Sequence, residues 1–313
     1  MRIVFMGTPE FAVPSLAALV DAGEEVAAVV TQPDRPAGRD LRLTPPPVKV
    51  WAEAKGLRVL QPATLKDAAA REAIFGLKPD LLVVAAYGHI LPSVLLETPP
   101  HGAINVHASL LPKYRGAAPI HWAVMLGEKE TGISIIRLVR ELDAGDILLQ
   151  SHEPVWPDDT AGSLHDRLMR RGARCLLEAI GLLKSGRTAW TRQDPGRATY
   201  APLLSRDQAR LDWTRPARAC HDFIRGLNPW PVAHSYFRGQ PCKIWRSAPP
   251  RGEPGPGYAV QAGRVTATAS ALRVQCGDSG WLDLLELQLP GRRVISGAEF
   301  AHGFHIQEGD RFE

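Results

Sequence analysis

The first half of the chain alternates short apolar runs with segments whose apolar residues recur at helical spacing. The run Asp80–Ala85 is apolar at consecutive positions, which is typical of a parallel strand buried on both faces. This alternation predicts an α/β fold with a doubly wound, mostly parallel sheet. The predicted strands or extended segments are Arg2–Met6, Glu25–Thr31, Leu57–Leu60, Asp80–Ala85, Gly102–Val106, Thr131–Leu138 and Ile147–Glu153, and the predicted helices are Phe11–Asp21, Val48–Lys55 and Ala161–Lys184.

A different pattern begins near Asp207, after a connector rich in Gly, Thr, Arg and Pro that starts at Ser185. It opens with a predicted helix, Ala217–Gly226, and continues with short strands separated by Gly and Pro turns. Short strands at this spacing predict a small β-barrel. The predicted strands are Ser235–Phe237, Lys243–Arg246, Tyr258–Gln261, Val265–Thr268, Ala271–Gln275 and Leu282–Leu287.

The length of 313 residues is sufficient for two domains, which we place at 1–188 and 207–313 with a linker at 189–206. No apolar run approaches the ~20 residues that a membrane helix needs. The N-terminus lacks the pattern of a signal peptide, and the four cysteines are scattered without C-x-x-C spacing. We therefore expect a cytoplasmic protein with no metal and no membrane contact. The absence of heptads favours a monomer.

Charge is distributed unevenly along the second half of the chain. Residues 207–273 hold 10 Lys or Arg and 4 Asp or Glu, a balance of +6, whereas residues 274–313 hold 3 and 7, a balance of −4. A basic body with an acidic tail is suited to a polyanion such as RNA. Charge alone is equally consistent with a solvated surface of mixed sign.

The candidate catalytic residues lie between Ile104 and Asp146 and comprise an amide (Asn105), an imidazole (His107) and a carboxylate (Asp143). Because side chains alternate along a strand, Asn105 and His107 point to the same face. An amide that polarises a carbonyl beside an imidazole that takes a proton is the minimum equipment for acyl transfer to an amine. Spacing alone also fits a turn asparagine and a core histidine.

The chain lacks the sequence motifs that are usual in two classes of nucleotide-binding protein. The segment after the first strand, GTPEFAVPS, does not have the G-x-G-x-x-G spacing of a dinucleotide site, which disfavours a dehydrogenase. No G-x-x-x-x-G-K-[ST] phosphate loop is present either. A further alternative is a non-catalytic protein that only docks RNA, and the presence of Asn105, His107 and Asp143, which could serve acyl transfer, disfavours it.

The stretch from Asn105 to Asp146 resembles the signature of formyltransferases that use 10-formyltetrahydrofolate. The resemblance extends over nearly the whole chain, and it implies a Rossmann-like catalytic domain followed by an OB-like barrel that binds tRNA. It also implies that Asn105, His107 and Asp143 are the catalytic set. Asn105 is then expected to donate to the developing oxyanion, and His107 to stabilise that charge or take the amine's proton. Asp143 is expected to orient His107.

Two other segments resemble the folate-binding parts of this family. One is the apolar turn Ser109-Leu110-Leu111-Pro112, and the other begins at Tyr87-Gly88, just after a predicted strand. Ligands of open α/β sheets bind outside the carboxyl ends of the strands, which is where both segments lie. The resemblance therefore implies 10-formyltetrahydrofolate as the formyl donor. The expected folate contacts are Ser109, Leu110, Leu111, Pro112, Tyr87 and Gly88.

The loop from Thr31 to Lys49 distinguishes groups within the family. Residues Gln32–Arg39 (QPDRPAGR) are similar to a loop of the members that act on methionyl-tRNA, but the chain departs from that pattern at Asp40-Leu41. The implied reaction is formylation of the amino group of methionine on initiator tRNA, for translation initiation. The expected tRNA contacts are Arg35, Arg39, Arg42, Arg238, Lys243 and Arg246.

Two alternatives keep the chemistry and change the acceptor. An amino sugar nucleotide is one, and the Gln32–Arg39 loop argues against it. Glycinamide ribonucleotide is the other, but the formyltransferases that use it resemble only the first half of the chain.

Overall fold

The computed structural model describes residues 1–38, 41–250, 260–268 and 271–313. The chain divides into two compact units. Unit 1 comprises residues 1–119, 131–153 and 165–201, and unit 2 comprises residues 120–130, 154–164 and 202–313. Each predicted domain is one continuous stretch of chain. In the structure, two short segments from the first part of the chain, 120–130 and 154–164, belong to unit 2.

Unit 1 is built on one seven-stranded sheet. The strands in the first two thirds of the chain are β1 Arg2–Gly7, β2 Glu25–Val30, β3 Arg35–Ala37, β4 Arg42–Thr44, β5 Val59–Leu60, β6 Leu81–Ala85, β7 Ala103–His107, β8 Glu130–Arg137 and β9 Ile147–Pro154. The helices in the same part of the chain are α1 Val13–Asp21, α2 Pro47–Ala54, α3 Ala68–Phe75, α4 Ser93–Glu97, α5 Pro119–Met125 and α6 Ala161–Lys184, and all of α5 except Pro119 belongs to unit 2.

The sheet order is β5-β2-β1-β6-β7-β8-β9. Pairing is parallel between β2 and β5, β1 and β2, β1 and β6, and β6 and β7, and antiparallel between β7 and β8. The predicted doubly wound, mostly parallel sheet is therefore confirmed. Its carboxyl edge carries the ends of β6 and β7 side by side.

Burial explains why the central strands form where the apolar runs lie. All five residues of β6 are buried, as its continuous apolar run predicts. Side chains from β1, β2 and β6 pack in one apolar cluster with Leu95 of α4. A fully buried aliphatic side chain of this kind contributes roughly 1.5–3 kcal/mol. The cluster fixes the strands whose ends carry the candidate site.

Unit 2 contains an antiparallel sheet whose strands are short, as predicted. Its sheet order is β10-β11-β14-β13-β12, with β15 paired to β14. Half of the predicted strand Tyr258–Gln261, residues 258–259, lies outside the described residues, and residues 260–261 are not in a strand. The elements are α7 Ala217–Gly226, β10 Ala233–Phe237, β11 Gln240–Ser247, β12 Val265–Ala267, β13 Leu272–Gln275, β14 Trp281–Gln288, β15 Ile295–Ser296 and α8 Gly297–Phe304.

The segment 310–313, which we call the closing tail, joins the two edge strands of this sheet. On one side, the backbones of Glu313 and Tyr236 in β10 exchange hydrogen bonds of 2.9 and 3.2 Å. On the other side, Phe312 N donates to Gly263 O at 2.8 Å and Val265 N of β12 donates to Asp310 O at 2.9 Å. The closing tail thus turns the open sheet into the predicted barrel.

Candidate active site

The three predicted catalytic residues meet at one end of the unit 1 sheet. Asn105 and His107 lie on β7, opposite Ile136 and Ser134 of β8. Asp143 lies in the loop between β8 and β9. Asn105 Nδ2 is 3.5 Å from Asp143 Oδ1, and His107 Nδ1 is 3.6 Å from Asp143 Oδ2. The structure brings all three together, while their catalytic roles stay a prediction.

His107 is the last residue of β7, which extends one residue beyond the predicted end at Val106. Its side chain is 5% exposed, and its Nε2 is 3.0 Å from the carbonyl oxygen of Tyr114. An Nε2–H that donates to Tyr114 leaves Nδ1 on the side of Asp143. A proton taken up by the ring would then lie beside a carboxylate.

Asp143 is held from several directions. Its Oδ2 accepts a 2.9 Å hydrogen bond from the backbone N–H of Gly116, in addition to its contacts with the other two members of the set. Its backbone has a φ of 48°, in the left-handed region. The loop then runs so close to β8 that a Cβ on Gly145 would lie 1.8 Å from Arg137 O, so only glycine fits there. The carboxylate is therefore fixed in place by its loop.

Several polar groups of the turn Ser109–Pro112 are hydrogen-bonded to neighbouring parts of the protein. Ser109 is fully buried and its hydroxyl donates to Lys113 O at 2.6 Å. Leu111 is 3% exposed, with its N–H bonded to Ser134 Oγ and its carbonyl to Gln150. Leu110 and Pro112 are half-buried. Only those two offer side-chain surface to a ligand.

Tyr87 is 1% exposed and packs in the apolar cluster of the sheet. Burial raises the pKa of its phenol to about 12. Its carbonyl oxygen accepts hydrogen bonds from Thr8 Oγ1 at 3.0 Å and Gln32 Nε2 at 2.8 Å. Gly88, by contrast, is exposed and has a φ of 82°. This segment therefore presents backbone, and not the tyrosine hydroxyl, to the edge of the sheet.

Comparisons with known proteins settle the family. Residues 1–180 match the family model described as formyl transferase, and residues 203–305 match its C-terminal domain. The methionyl-tRNA formyltransferase of Geobacillus sp. strain WCH70 is 46% identical, over 97% of this chain and 94% of the relative. That of Pelotomaculum thermopropionicum is 48% identical, over 99% and 97%. The chain belongs to the methionyl-tRNA formyltransferase family.

A solved structure of lower identity agrees in fold. The N-formyltransferase from Helicobacter canadensis, solved with folinic acid and dTDP-3-aminofucose, superposes with a TM-score of 0.70 at 17% identity. The match covers 91% of this chain and 98% of that one. The resemblance that the sequence motifs indicated is thus confirmed for both family and fold.

The loop that resembles the tRNA loop of the methionyl-tRNA formyltransferase family is a β-hairpin at its centre. Strands β3 and β4 pair, with Arg35 opposite Thr44, and both Arg35 and Arg42 are exposed. Leu41 and Leu43 are each 71% exposed. Arg39, a predicted contact, and Asp40 lie outside the described residues. The hairpin therefore exposes both charged and apolar side chains.

The base of this hairpin is anchored by three polar side chains. Lys49 Nζ lies 2.9 and 2.8 Å from the two carboxylate oxygens of Asp34, and Gln61 Nε2 donates to Asp34 Oδ1 at 2.7 Å. These contacts with Gln61 and Lys49 lower the pKa of Asp34. Gln61 also donates to Gln32 O at 2.9 Å. The start of the loop is therefore held against the sheet.

The three predicted cations of the barrel differ in how they are engaged. Arg238 makes a double contact with Asp310 of the closing tail, at 2.9 and 2.7 Å. Arg246 is exposed and 3.0 Å from Glu286. Lys243 is exposed, with its ammonium 5.9 Å from the centre of the Trp245 ring. Arg238 has a structural partner that its sequence position did not reveal.

Sequence reasoning missed two buried residues behind the predicted catalytic set, Arg115 and Gln193. Arg115 lies three residues after Pro112, the end of the predicted folate-binding turn, so its place near a conspicuous motif was a usable signal. Gln193 lies in the segment 189–206 that the sequence predicts to be a linker, and no motif around it marks it. Its importance follows only from its contacts.

Proposed function

We propose that this chain transfers the formyl group of 10-formyltetrahydrofolate to the amino group of methionine on initiator tRNA. The observation that carries the proposal is the meeting of Asn105, His107 and Asp143 at the carboxyl edge of the sheet, in a member of this family. Amide, imidazole and carboxylate together meet the demands of acyl transfer to an amine. The product would serve the start of translation.

Each residue has a distinct part in the proposed reaction. Asn105, half-buried and so the most accessible of the set, donates its amide N–H to the oxygen that becomes negative when the amine attacks the formyl carbon. His107 accepts the proton that the amine loses, directly or through a water. Asp143 keeps the ring oriented and stabilises that proton. As the oxyanion collapses, the bond from the formyl carbon to the donor nitrogen breaks, and that nitrogen takes up a proton supplied by His107 as tetrahydrofolate leaves.

The residues at the sheet edge fit a flat folate. Gly88 is exposed and carries no side chain, and a Cβ there would lie 2.6 Å from Gln32 Nε2. Leu110 and Pro112 supply apolar surface at the end of the neighbouring strand. We assign the folate contacts to these three residues, with Ser109, Leu111 and Tyr87 shaping the backbone around them.

We assign tRNA phosphates to the exposed cations of the hairpin and the barrel. Arg35 is the first residue of β3 and Arg42 the first of β4, and Arg39, which lies between them in the sequence, is assigned by its place in the same loop. Lys243 and Arg246 are exposed on β11. Arg238 already pairs with Asp310, so it contributes only if its guanidinium binds a phosphate and Asp310 at the same time. Such contacts confer affinity that falls steeply with salt.

The decisive assay combines the purified protein, 10-formyltetrahydrofolate and methionine-charged initiator tRNA, and measures formyl-methionine released from the tRNA. We expect rapid formylation, with little transfer to free methionine and none by a His107→Ala variant purified in parallel. That variant excludes a contaminating host enzyme. Transfer to an amino sugar nucleotide, with none to tRNA, would overturn the proposed acceptor and leave the donor site standing.

A further inference from the structure

Gln193 is a buried side chain, 5% exposed, whose amide joins two loops of unit 1. Its Nε2 donates to Asp143 O and to Gly145 O, both at 2.7 Å. Its Oε1 accepts from Arg115 Nε at 3.2 Å and from Arg115 Nη2 at 2.7 Å. Both hydrogens and the oxygen of the amide are therefore in use.

The other end of this link is the segment that carries Arg115 and Gly116. Arg115 is 7% exposed, and its backbone exchanges hydrogen bonds of 2.8 and 2.7 Å with Thr199 and Ala201. The next residue, Gly116, donates its N–H to Asp143 Oδ2. The segment with Arg115 and Gly116 thus holds the carboxylate of Asp143. Gln193 holds the backbone of Asp143 and is itself bonded to Arg115 of that segment.

We propose that Gln193 is a positioning residue for formyl transfer, acting through Asp143 and His107 and touching neither substrate. The inference rests on the proposed function of the site and adds a residue from the connector to it. Asp143 has a left-handed backbone, which a non-glycine residue keeps only where its surroundings hold it. Gln193 supplies that restraint, so that Oδ2 faces Nδ1 of His107.

The geometry provides a selective test, because the two halves of the amide serve different loops. Gln193→Glu keeps an acceptor for Arg115 but removes both N–H donors, and it turns a carboxylate oxygen towards the carbonyls of Asp143 and Gly145. Gln193→Met removes the polar contacts without adding charge. Gln208→Glu is the matched control, because exposed Gln208 uses only its oxygen, as an acceptor from Ser205 N.

For Gln193→Glu and Gln193→Met we expect kcat to fall about 10- to 100-fold, the order expected when a reacting group is displaced by about 1 Å. The KM values for folate and tRNA should change less than about threefold, because no binding contact is lost. Gln208→Glu should match the parent enzyme. Melting curves for each variant confirm that it is folded, and Gln193→Met replaces Gln193→Glu if the latter does not fold.

The second readout needs no substrate. The ¹⁵N resonances of the His107 ring, assigned by their loss in His107→Asn, should shift in Gln193→Met and stay in place in Gln208→Glu. Unchanged resonances, or shifted resonances with an unaltered kcat, would overturn the positioning role. If the parent protein fails to formylate tRNA, the proposed function falls, and the resonances still decide whether Gln193 holds Asp143 against His107.

Discussion

Asp143 is the residue on which the contacts of the candidate site converge. Its two carboxylate oxygens face the Asn105 amide, the His107 ring and the N–H of Gly116. Since His107 and Asp143 are 5% and 9% exposed, the half-buried Asn105 is the member that a substrate oxygen reaches most directly. The division of labour in the proposed mechanism follows from this difference in exposure.

Replacing Asn105 by Ala should lower kcat on the order of 100- to 1,000-fold, because one preorganised oxyanion donor is lost. The KM for folate should change little, since the interaction forms mainly in the transition state. Steady-state kinetics with saturating tRNA measures both constants. Asn105→Asp keeps the size of the side chain and lacks the donor, so it should be at least as slow. A loss of less than about tenfold in both variants would contradict the assigned role.

Tyr87→Phe should stabilise the protein or leave its stability unchanged. Among the described residues, the buried hydroxyl of Tyr87 has no hydrogen-bond partner, and an unsatisfied buried hydroxyl costs roughly 1–3 kcal/mol. Chemical denaturation of the variant beside the parent measures the change in the free energy of unfolding. Folate affinity should be unaltered. A clear loss of folate binding would instead mean that the hydroxyl contacts the ligand directly.

At the level of elements, the hairpin of β3 and β4 is exposed at its strands and fixed at its base. The fixed base is the cluster of Asp34, Lys49 and Gln61, in which the Asp34 side chain is 31% exposed. An exposed hairpin on a fixed base meets its partner in a restricted range of positions, which reduces the entropy lost on binding.

Asp34→Ala should therefore raise the KM for tRNA about threefold or more while kcat and the KM for folate stay nearly constant. The variant removes the acceptor for both Lys49 and Gln61 and leaves the cations of the hairpin in place. Formylation kinetics at varied tRNA and at varied folate separates the two KM values. Equal increases in both would indicate a general structural defect and not a loosened hairpin.

Helix α8 begins with a capping box, in which Ser296 and Glu299 bond each other's backbone N–H. The backbone N–H of Ser296 and the Arg293 side chain lower the pKa of Glu299 from 4.5 to about 2. Because the folded-state pKa is depressed, the carboxylate's contribution to stability is present above pH 4.5 and is lost as the pH falls towards 2.

The difference in Tm between the parent and Glu299→Gln should therefore be largest at neutral pH and shrink on acidification. Calorimetry over a pH series measures this difference, and the parent should have the higher Tm wherever the carboxylate is ionised. Glutamine retains an acceptor for Ser296, so the comparison isolates the charge. A difference that does not vary with pH would show that the charge contributes nothing to the cap.

Among the helices, the sequence predicted the longest one well and missed several short ones. Helix α6 matches its predicted limits because 24 residues of helical periodicity leave little ambiguity. Helices α3, α4, α5 and α8 were not predicted, since at 5 to 8 residues each they carry little periodic signal. Their positions are decided by packing. The hairpin was seen only as a basic loop for the same reason.

The site divides along similar lines. Asn105, His107 and Asp143 stand in a recognisable motif, so the sequence could place them together. Gln193 and Arg115 act through buried hydrogen bonds between segments about 78 positions apart, as their 2.7 Å contact shows. A single sequence carries no signal for such a pair. Tyr87 shows the converse, because its motif indicated a ligand contact and its burial points to packing.

At the level of the whole molecule, the chain passes from one unit to the other several times before the barrel begins. The segment 154–164 is tied into unit 2 by Arg225, which donates to Trp156 O and Asp159 O at 3.2 and 3.0 Å. His221 lies 3.1 Å from Pro157 O in the same unit. The composition of the sequence predicts a linker at 189–206. It does not predict that the segment 154–164 belongs to unit 2, because that depends on contacts that form only in the folded chain.

Phe312→Ala should destabilise unit 2 by about 3–5 kcal/mol, the usual range for a buried phenylalanine. Phe312 is 1% exposed, and its ring centre lies 5.3 Å from that of Phe237 and 5.8 Å from that of Trp213. Differential scanning calorimetry should show an earlier transition. Arg311→Ala, which changes an exposed neighbour and keeps the backbone bridges, is the control and should melt with the parent. Equal melting of all three proteins would mean that the closing tail adds no stability.

The closing tail also sets the timing of events during synthesis. β10 is made about seventy residues before residues 310–313, so the ring of strands stays incomplete until residues 310–313 have also left the ribosome. Until then, β10 and β12 each present an unpaired strand edge, which is a template for pairing with other chains. The nascent protein therefore keeps both strand edges open until residues 310–313 can pair with them, and a ribosome that stalls before that point would expose both edges together.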